Sequence, residues 1–484
     1  MLHMTPPLQR GVTATHRNVC KVAIIGGGFS GASLARLLAL GGCCNGDPVL
    51  VFEPREDLGT GLAYDTHDPA LRLNVEATRM RALPDDPEAF ARWLALRHRQ
   101  DPDPAATVGE SGTYARRSDF GRFMAEQMRP FLENGSVCHI RERVEKIERA
   151  ADRWRLTGTR GTEVLADIVV IATTHPRPCA PETVAAALTG HPRFLPDASR
   201  TQDLRHIASG DRVLIIGSGL TACDVIASLR HRGHHGEITS LSRSGLLPQP
   251  QASGQRTAVG NFVLPTATTA QGLLRRVRLA IREAERAGLA WQNVFDALRQ
   301  QAQTIWQALP LGEQKRLLRH LRRRFETHRY RMSPQVAELL HHERQQGRFV
   351  TRAGRIGAVE AGPQTVSIDL IAKPDGTVER RQFEWVVLAT GPGAAIPSLP
   401  YLADLERLGH IKADAHQLGL ACDRGGRAIG AGGQITPGLF VAGPLTRGTF
   451  GELTGVPEIA AQCERLATEI IATIGGDRST FRNN

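Results

Sequence analysis

Two short stretches carry residue types and spacing that point to chemistry. Gly26-Gly27-Gly28-Phe29-Ser30-Gly31 has the spacing G-x-G-x-x-G, and Gly217-Ser218-Gly219-Leu220-Thr221-Ala222 has the variant G-x-G-x-x-A. That spacing suits a pyrophosphate. The first glycine (Gly26, Gly217) permits a tight turn, and the second (Gly28, Gly219) lets backbone approach the phosphates. A small third residue (Gly31, Ala222) lets a helix pack closely on a strand. Ser30 sits at the start of that helix, whose free N–H groups and positive dipole end favour an anion. The residues downstream of each stretch separate two roles. Glu53 ends the run VLVFE 22 residues after Gly31, where a carboxylate can accept hydrogen bonds from ribose hydroxyls. The second stretch leads instead to Arg243, 21 residues after Ala222, and to no acid. An arginine there suits a 2′-phosphate, so NADPH is expected, with NADH possible as the alternative.

These residues need strands and helices to hold them. KVAII precedes the first stretch and ASLARLLAL comes after it; DRVLII and CDVIASLRHRG flank the second. Short apolar runs read as buried parallel strands, and the periodic segments after them as helices. Each half then closes in the same way. RVEKIERAADRWRLTGTRGTEVLADIVVIATTHP reads as strand, hairpin and returning strand, and GRIGAVEAGPQTVSIDLIAKPDGTVERRQFEWVVLATGPG repeats that plan. Pro374-Asp375-Gly376 supplies its hairpin turn, and Gly391 comes after its last strand. A final strand ends at Gly443. A loop of small and polar residues, including Thr454 and Gly455, leads from it into a helix from Val456 to Ile471. That places a helix start beside the cofactor of the first domain.

The expected fold class is therefore α/β, with two dinucleotide-binding, Rossmann-like domains of the two-domain flavoprotein type and a helical insertion. The expected boundaries are a flexible lead over residues 1–20, an FAD-binding domain over 21–205 and 384–484, and an NAD(P)H-binding domain over 206–383. The insertion covers 268–345, where LLRRVRLAIREAERAG and GEQKRLLRHLRRRFETHRYRM read as amphipathic helices. Within it, Arg322-Arg323-Arg324 reads as a solvated helix face.

Bulk properties narrow the function classes. Aromatic content is 5%, which argues against stacking platforms for single-stranded nucleic acid. The net charge of +11 is read mainly as solvated helix faces, with an anionic small molecule as the sharper explanation. The eight cysteines form no Cys-x-x-Cys pair and no zinc spacing, so neither a redox disulfide nor a metal is expected. Cys43-Cys44 reads as a surface turn. The first twenty residues lack the apolar core of a signal peptide and no run is long enough to span a membrane, so a soluble cytoplasmic protein is expected.

The motifs together resemble the bacterial FAD/NAD(P)-binding proteins grouped with FAD-dependent urate hydroxylase and aspartate N-monooxygenase, and lie closest to the YdhS-like branch of that group. The resembling residues are GGGFSGASLA at 26–35, LGTGLAYDTHDPALRLNVEATRMRALPDDPEAFARWL at 58–94, GSGLTACDV, ITSLSRSGLLPQP, WQALP, HRYRMSP at 328–334 and GPLTRGTFGELTGVPEI. Ala222-Cys223 departs from the group, which often has bulky apolar residues there. The resemblance implies FAD that NAD(P)H reduces and that then reacts with molecular oxygen. It also implies that the loop holding Asn74 runs past the flavin, which makes Asn74 a candidate at the reacting end. Arg331, in the cationic segment before Pro334, is the second candidate; it binds an anion or serves the helix end.

The resulting expectation is an FAD-dependent, NAD(P)H-using monooxygenase hydroxylating a small polar substrate, read as anionic, with urate to 5-hydroxyisourate placed first. The alternatives are N-hydroxylation of an amino acid or other amine, and a flavin-dependent NAD(P)H oxidoreductase without oxygen insertion. No nucleic acid or membrane partner is expected.

Overall fold

The runs before the two fingerprints are buried on both faces, as central parallel strands must be. Val22, Ala23, Ile24, Val213, Leu214 and Ile215 are all 0% exposed. The computed structural model describes residues 19–42, 46–252, 254, 257–391, 393, 396 and 399–480, with side chains to 475. Most of the lead and the Cys43-Cys44 turn lie outside the described residues.

The first fingerprint belongs to a sheet with strand order Arg427–Ile429, Ile435–Val441, Glu163–Ile171, Val19–Ile25, Val49–Phe52, Val137–Ile140. Its inner four neighbour pairings, from Ile435–Val441 through to Val137–Ile140, are parallel. Strands Val144–Ala150 and Arg153–Gly158 run antiparallel and lead into Glu163–Ile171. This is the closing meander expected from the sequence.

The second sheet has the order Val378–Phe383, Val366–Ala372, Phe349–Ala361, Ile238–Ser242, Val213–Ile216, Trp385–Leu388, Phe194–Leu195. It repeats the plan: an antiparallel meander over 349–383, then Trp385–Leu388 returning parallel beside the fingerprint strand. Asp375 accepts the Thr377 N–H at 3.2 Å and Gly376 has φ +77°, so Pro374-Asp375-Gly376 is a turn as expected. The boundaries at 205 and 384 need correction. Phe194–Leu195 and Trp385–Leu388 pair within the second sheet, because Trp385–Leu388 is the strand that closes it.

The insertion lies between Ile238–Ser242 and Phe349–Ala361. It holds helices Ala270–Arg286, Trp291–Ala308, Leu311–His320, Arg322–Arg329 and Pro334–Gln345. Leu273 and Val277 lie one turn apart and join Val294, Phe295, Leu298 and Ile305 in a core of their own. Thr269 caps the first of these helices through the Gly272 N–H at 3.0 Å. Pro334 opens the last helix; the helix before it has already ended at Arg329.

Candidate cofactor and substrate site

The first fingerprint is held by the contacts its glycines allow. Gly26 has φ +100°, and a side chain there would meet the Ala172 carbonyl oxygen at 2.8 Å. A Cβ on Gly31 would lie 1.9 Å from the Gly26 carbonyl oxygen, so the helix start can sit this close to the turn only without one. Gly28 faces the backbone of Gly61, with 3.3 Å from its would-be Cβ to the Gly61 Cα. Helix Phe29–Leu40 starts with no side-chain cap and no acid in its first turn, leaving its N–H groups for a ligand. Glu53 is 3% exposed. One oxygen accepts the Gly27 N–H at 3.0 Å; the other accepts the Arg55 N–H and guanidinium, each at 3.0 Å.

The C-terminal element locks onto this turn. Gly443 has φ +71°, and its would-be Cβ would lie 2.4 Å from the Ser30 hydroxyl. Its N–H donates to Gln462 at 2.8 Å, and the Gln462 amide donates to Thr446 at 2.8 Å. The Cys463 thiol donates to the Ser30 carbonyl at 3.4 Å. Nearby, His175 has a buried Nδ1 with no hydrogen-bond partner. Burial, with the charge of Arg447 second, pulls its pKa down to about 3. An uncapped helix start behind a glycine turn, with a buried, partnerless His175 nitrogen three residues past the Ala172 that packs on Gly26, fits a bound dinucleotide.

The second fingerprint separates its two glycines more sharply. Gly217 has φ +125°, and a Cβ would clash with the Ala389 carbonyl oxygen at 2.1 Å. Gly219 would meet nothing within 4 Å. Space beside an uncapped helix start, Leu220–His231, is what a pyrophosphate requires. Ala222 is 0% exposed and Cys223 packs beside it, with its thiol 3.6 Å from the Met332 sulfur. Cys223 is thus a core thiol; burial pushes its pKa far up. Arg243 is exposed at the end of its strand, and Gly391, with φ +78°, borders open space.

The run Arg322-Arg323-Arg324 departs in part from the solvated face expected of it. Arg322 and Arg324 face solvent, but Arg323 is half-buried. Its Nη2 donates to Ser218 Oγ at 2.7 Å and to the Leu246 carbonyl, and its Nε to Ser244 Oγ at 3.3 Å. The helix phase of a single arginine within a run carried this signal, and composition hid it.

Asn74 and Arg331 come together. They line one small pocket with Val75, Glu76, Arg79, Gln251, Arg299 and Arg329. The Gln251 amide donates to the Asn74 carbonyl at 2.7 Å. Arg331 is 4% exposed and pairs with Asp296, whose other oxygen lies 2.9 Å from Arg79. Arg329 contacts Glu452 and stands 3.6 Å from Glu458, which Arg299 also holds. Burial drives the Glu452 carboxyl pKa up. Burial acts the same way on Glu458, but Arg299 and Arg329 outweigh it and hold Glu458 at about 2. Thr454 reaches the Tyr330 hydroxyl at 3.0 Å, and a Cβ on Gly455 would lie 2.2 Å from Glu458. The pocket therefore sits where the insertion meets the loop that opens the last helix of the first domain. Sequence reasoning did not find Arg79, Gln251, Asp296, Arg299, Glu452 or Glu458, which are brought here from four separate segments.

Among the described residues, one trio of potential metal ligands converges: His98, Asp103 and Asp119. Arg72 occupies both oxygens of Asp103 at 2.9 and 3.0 Å, and Arg116 stands 3.2 Å from one of them, so guanidiniums answer that charge. The six described cysteines are free, and no described helix is long and apolar enough to cross a membrane.

Residues 23–176 match the model of an FAD-NAD(P)-binding family. No curated protein matches the sequence. Among solved structures, the reduced form of ornithine hydroxylase from Pseudomonas aeruginosa superposes with TM-score 0.63 at 16% identity, over 94% of this chain and 99% of that one. L-lysine 6-monooxygenase from Pseudomonas syringae gives 0.60 at 18% identity, over 93% and 99%. An ornithine N-hydroxylase from Kutzneria sp. 744, solved with reduced FAD, NADP+ and L-ornithine, gives 0.62 at 16%, over 95% and 100%. The chain thus has the α/β two-domain flavoprotein fold of these monooxygenases, and its first domain carries an FAD-NAD(P)-binding module.

Proposed function

We propose that the chain is an FAD-dependent, NAD(P)H-using monooxygenase that N-hydroxylates a small primary amine bearing a carboxylate. The observation that carries this is the pocket in which Asn74 meets Arg79, Arg299, Arg329 and Arg331, at the loop leading into the last helix of the FAD domain. Arg79, Arg299, Arg329 and Arg331 are paired with Asp296, Glu452 and Glu458 around a cavity of about 10 Å³, so the carboxylate and ammonium of an amino acid would bind there by exchanging with these ion pairs. The overall reaction balances as amine, O2, NADPH and a proton giving hydroxylamine, NADP+ and water. When bound, FAD would supply the two-electron chemistry that carries reducing equivalents from NADPH to O2. The chain's own residues bind and orient. Gly26, Gly28, Ser30, Gly31 and Glu53 would hold the FAD pyrophosphate and ribose; Gly217, Gly219, Ala222 and Arg243 would hold the nicotinamide cofactor. Gly391, Gly443, Thr454 and Gly455 shape the turns around them. Asn74 presents a polar group to the substrate, and Arg331 and its neighbours fix the substrate's anionic end.

The superposing structures support the amine over urate, since those compared above are named for amine hydroxylation. Urate stays as a second reading, because an arginine-lined pocket suits any small anion. The motifs at 58–94 and 328–334 support a place beside the aspartate N-monooxygenase and urate hydroxylase group, in its YdhS-like branch. Free thiols and use of NADPH support a cytoplasmic setting.

The test is NADPH oxidation by the FAD-loaded protein with L-aspartate, L-ornithine, L-lysine or urate, counting peroxide and N-hydroxy product in parallel. Stimulation by one amino acid with N-hydroxy product and little peroxide supports the proposal. Stimulation by urate alone moves the reading to ring hydroxylation. Peroxide equal to NADPH under every substrate reduces the protein to an oxidase.

A further inference from the structure

The end of strand Ile238–Ser242 carries positive charge from two different elements. Arg243 leaves the strand itself and is exposed, with no ion-pair partner among the described residues. Arg323 comes from the insertion, 80 residues later in sequence. It reaches across to Ser218 in the second fingerprint, to Ser244 and to the Leu246 carbonyl. Ser218 Oγ in turn lies 2.7 Å from both Ser242 Oγ and the Leu246 carbonyl, and Ser242 Oγ accepts the Gly245 N–H at 3.0 Å. The loop 242–246 is thereby tied to the fingerprint turn by the Ser218 hydroxyl directly and by the Arg323 guanidinium.

That guanidinium forms no ion pair with a carboxylate among the described residues; the nearby Glu326 pairs with Arg322. Its pKa is lowered, first by burial and also by the like charge of Arg243, while Glu326 pulls it up. Two guanidiniums repelling one another beside hydroxyls, next to a glycine turn with free space at Gly219, form an arrangement that a dianion would relieve. A Rossmann-like fold presents the adenosine ribose at this strand end.

We propose that Arg323, with Arg243, forms a two-pronged site for the 2′-phosphate of NADPH, so that the helical insertion itself sets the choice of NADPH over NADH. This rests on the reading of the second fold as the nicotinamide nucleotide site. Arg243 grips the phosphate from the strand side. Arg323 grips it from the insertion and keeps the serine-rich loop in place beneath it.

The experiment is calorimetric titration of the FAD-loaded full chain with 2′,5′-ADP and with 5′-AMP, which differ only in the 2′-phosphate. Wild type is expected to bind 2′,5′-ADP at least about ten-fold more tightly, the scale of a hydrogen bond to a charged group. Arg323→Gln and Arg243→Gln are each expected to lose about ten-fold on 2′,5′-ADP and nothing on 5′-AMP. Arg323→Lys keeps the charge without the fork and is expected to fall between. Arg323→Gln weakening both ligands equally would show only a prop for the loop and overturn the inference. So would an Arg323→Gln protein with unchanged preference. Should Arg323→Gln fail to fold, the intermediate affinity of Arg323→Lys decides, and a wild-type preference in that variant overturns the inference. Wild type that binds both ligands alike sinks the 2′-phosphate site and leaves the flavin reading standing; wild type that binds neither ends the nucleotide reading as well.

Discussion

Asp296 holds two guanidiniums at once, Arg331 on one oxygen and Arg79 on the other, and is 3% exposed. Burial alone would raise its pKa; the two arginines reverse this and hold it below the usual carboxylate range. Removing a buried partner costs more than the pair contributes, because the remaining charge stays desolvated. Asp296→Ala is therefore expected to lower stability by about 3 kcal/mol or more in urea unfolding. Arg79→Ala, which leaves Asp296 its Arg331 partner, should cost less; the reverse order would show that Asp296 answers mainly to Arg79. Glu458 makes a second, pH-resolved case. Its folded pKa of about 2 lies below the ordinary 4.5, so its stabilisation is fully present above pH 4.5 and lost as pH falls toward 2. Glu458→Gln should remove that part of the acid sensitivity, at most about 3 kcal/mol, and flatten stability between those pH values. An unchanged acid profile would assign acid unfolding to other carboxylates.

At the scale of the element, the two fingerprints show which glycines build the turn and which leave room. Gly217 combines φ +125° with backbone 2.1 Å from its would-be Cβ. Gly219 has φ −87° and open space around it. Gly217→Ala is expected to destabilise the second domain outright. Gly219→Ala should leave the melting temperature within about a degree, because no strained backbone or clash is created. The added methyl would occupy the approach to the helix start, so the KM for NADPH should rise by about ten-fold or more. A large drop in melting temperature for Gly219→Ala would make that glycine structural. These elements were legible in the sequence because strand, glycine turn and helix are contiguous, and local spacing records their geometry. The Pro374-Asp375-Gly376 turn was legible for the same reason. Arg323 was not, since its partners Ser218, Ser244 and Leu246 lie 105, 79 and 77 residues away and no local pattern marks that contact. The closing role of Trp385–Leu388 was legible in the repeated plan of strand, hairpin and returning strand, although the boundary drawn at 384 cut it away from the second sheet, where it pairs with Val213–Ile216.

At the scale of the whole molecule, the insertion belongs to the second domain by sequence but rests on the first. Trp306, 7% exposed, donates its indole N–H to the Gly448 carbonyl at 2.9 Å, and its ring lies 2.8 Å from where a Cβ on Gly451 would stand. Arg299 and Arg329 pin Glu458 and Glu452 a few residues on. The loop that opens the last helix of the first domain is thus shaped by side chains from the second domain's insertion. Trp306→Ala removes the ring and the hydrogen bond together. It is expected to cost about 3 kcal/mol or more as a large-to-small change in a packed contact. The sharper consequence concerns coupling. Neither glycine fingerprint touches Trp306, so FAD content and the KM for NADPH should stay near wild type. On the proposed N-hydroxylation, a loosened loop should let electrons taken from NADPH leave as peroxide, and the fraction of NADPH recovered as N-hydroxy product should fall. Peroxide and product counted against NADPH consumed in one reaction decide it. Unchanged coupling with lowered stability would make the contact a domain tether alone. Loss of FAD would mean instead that the insertion is needed to form the first site.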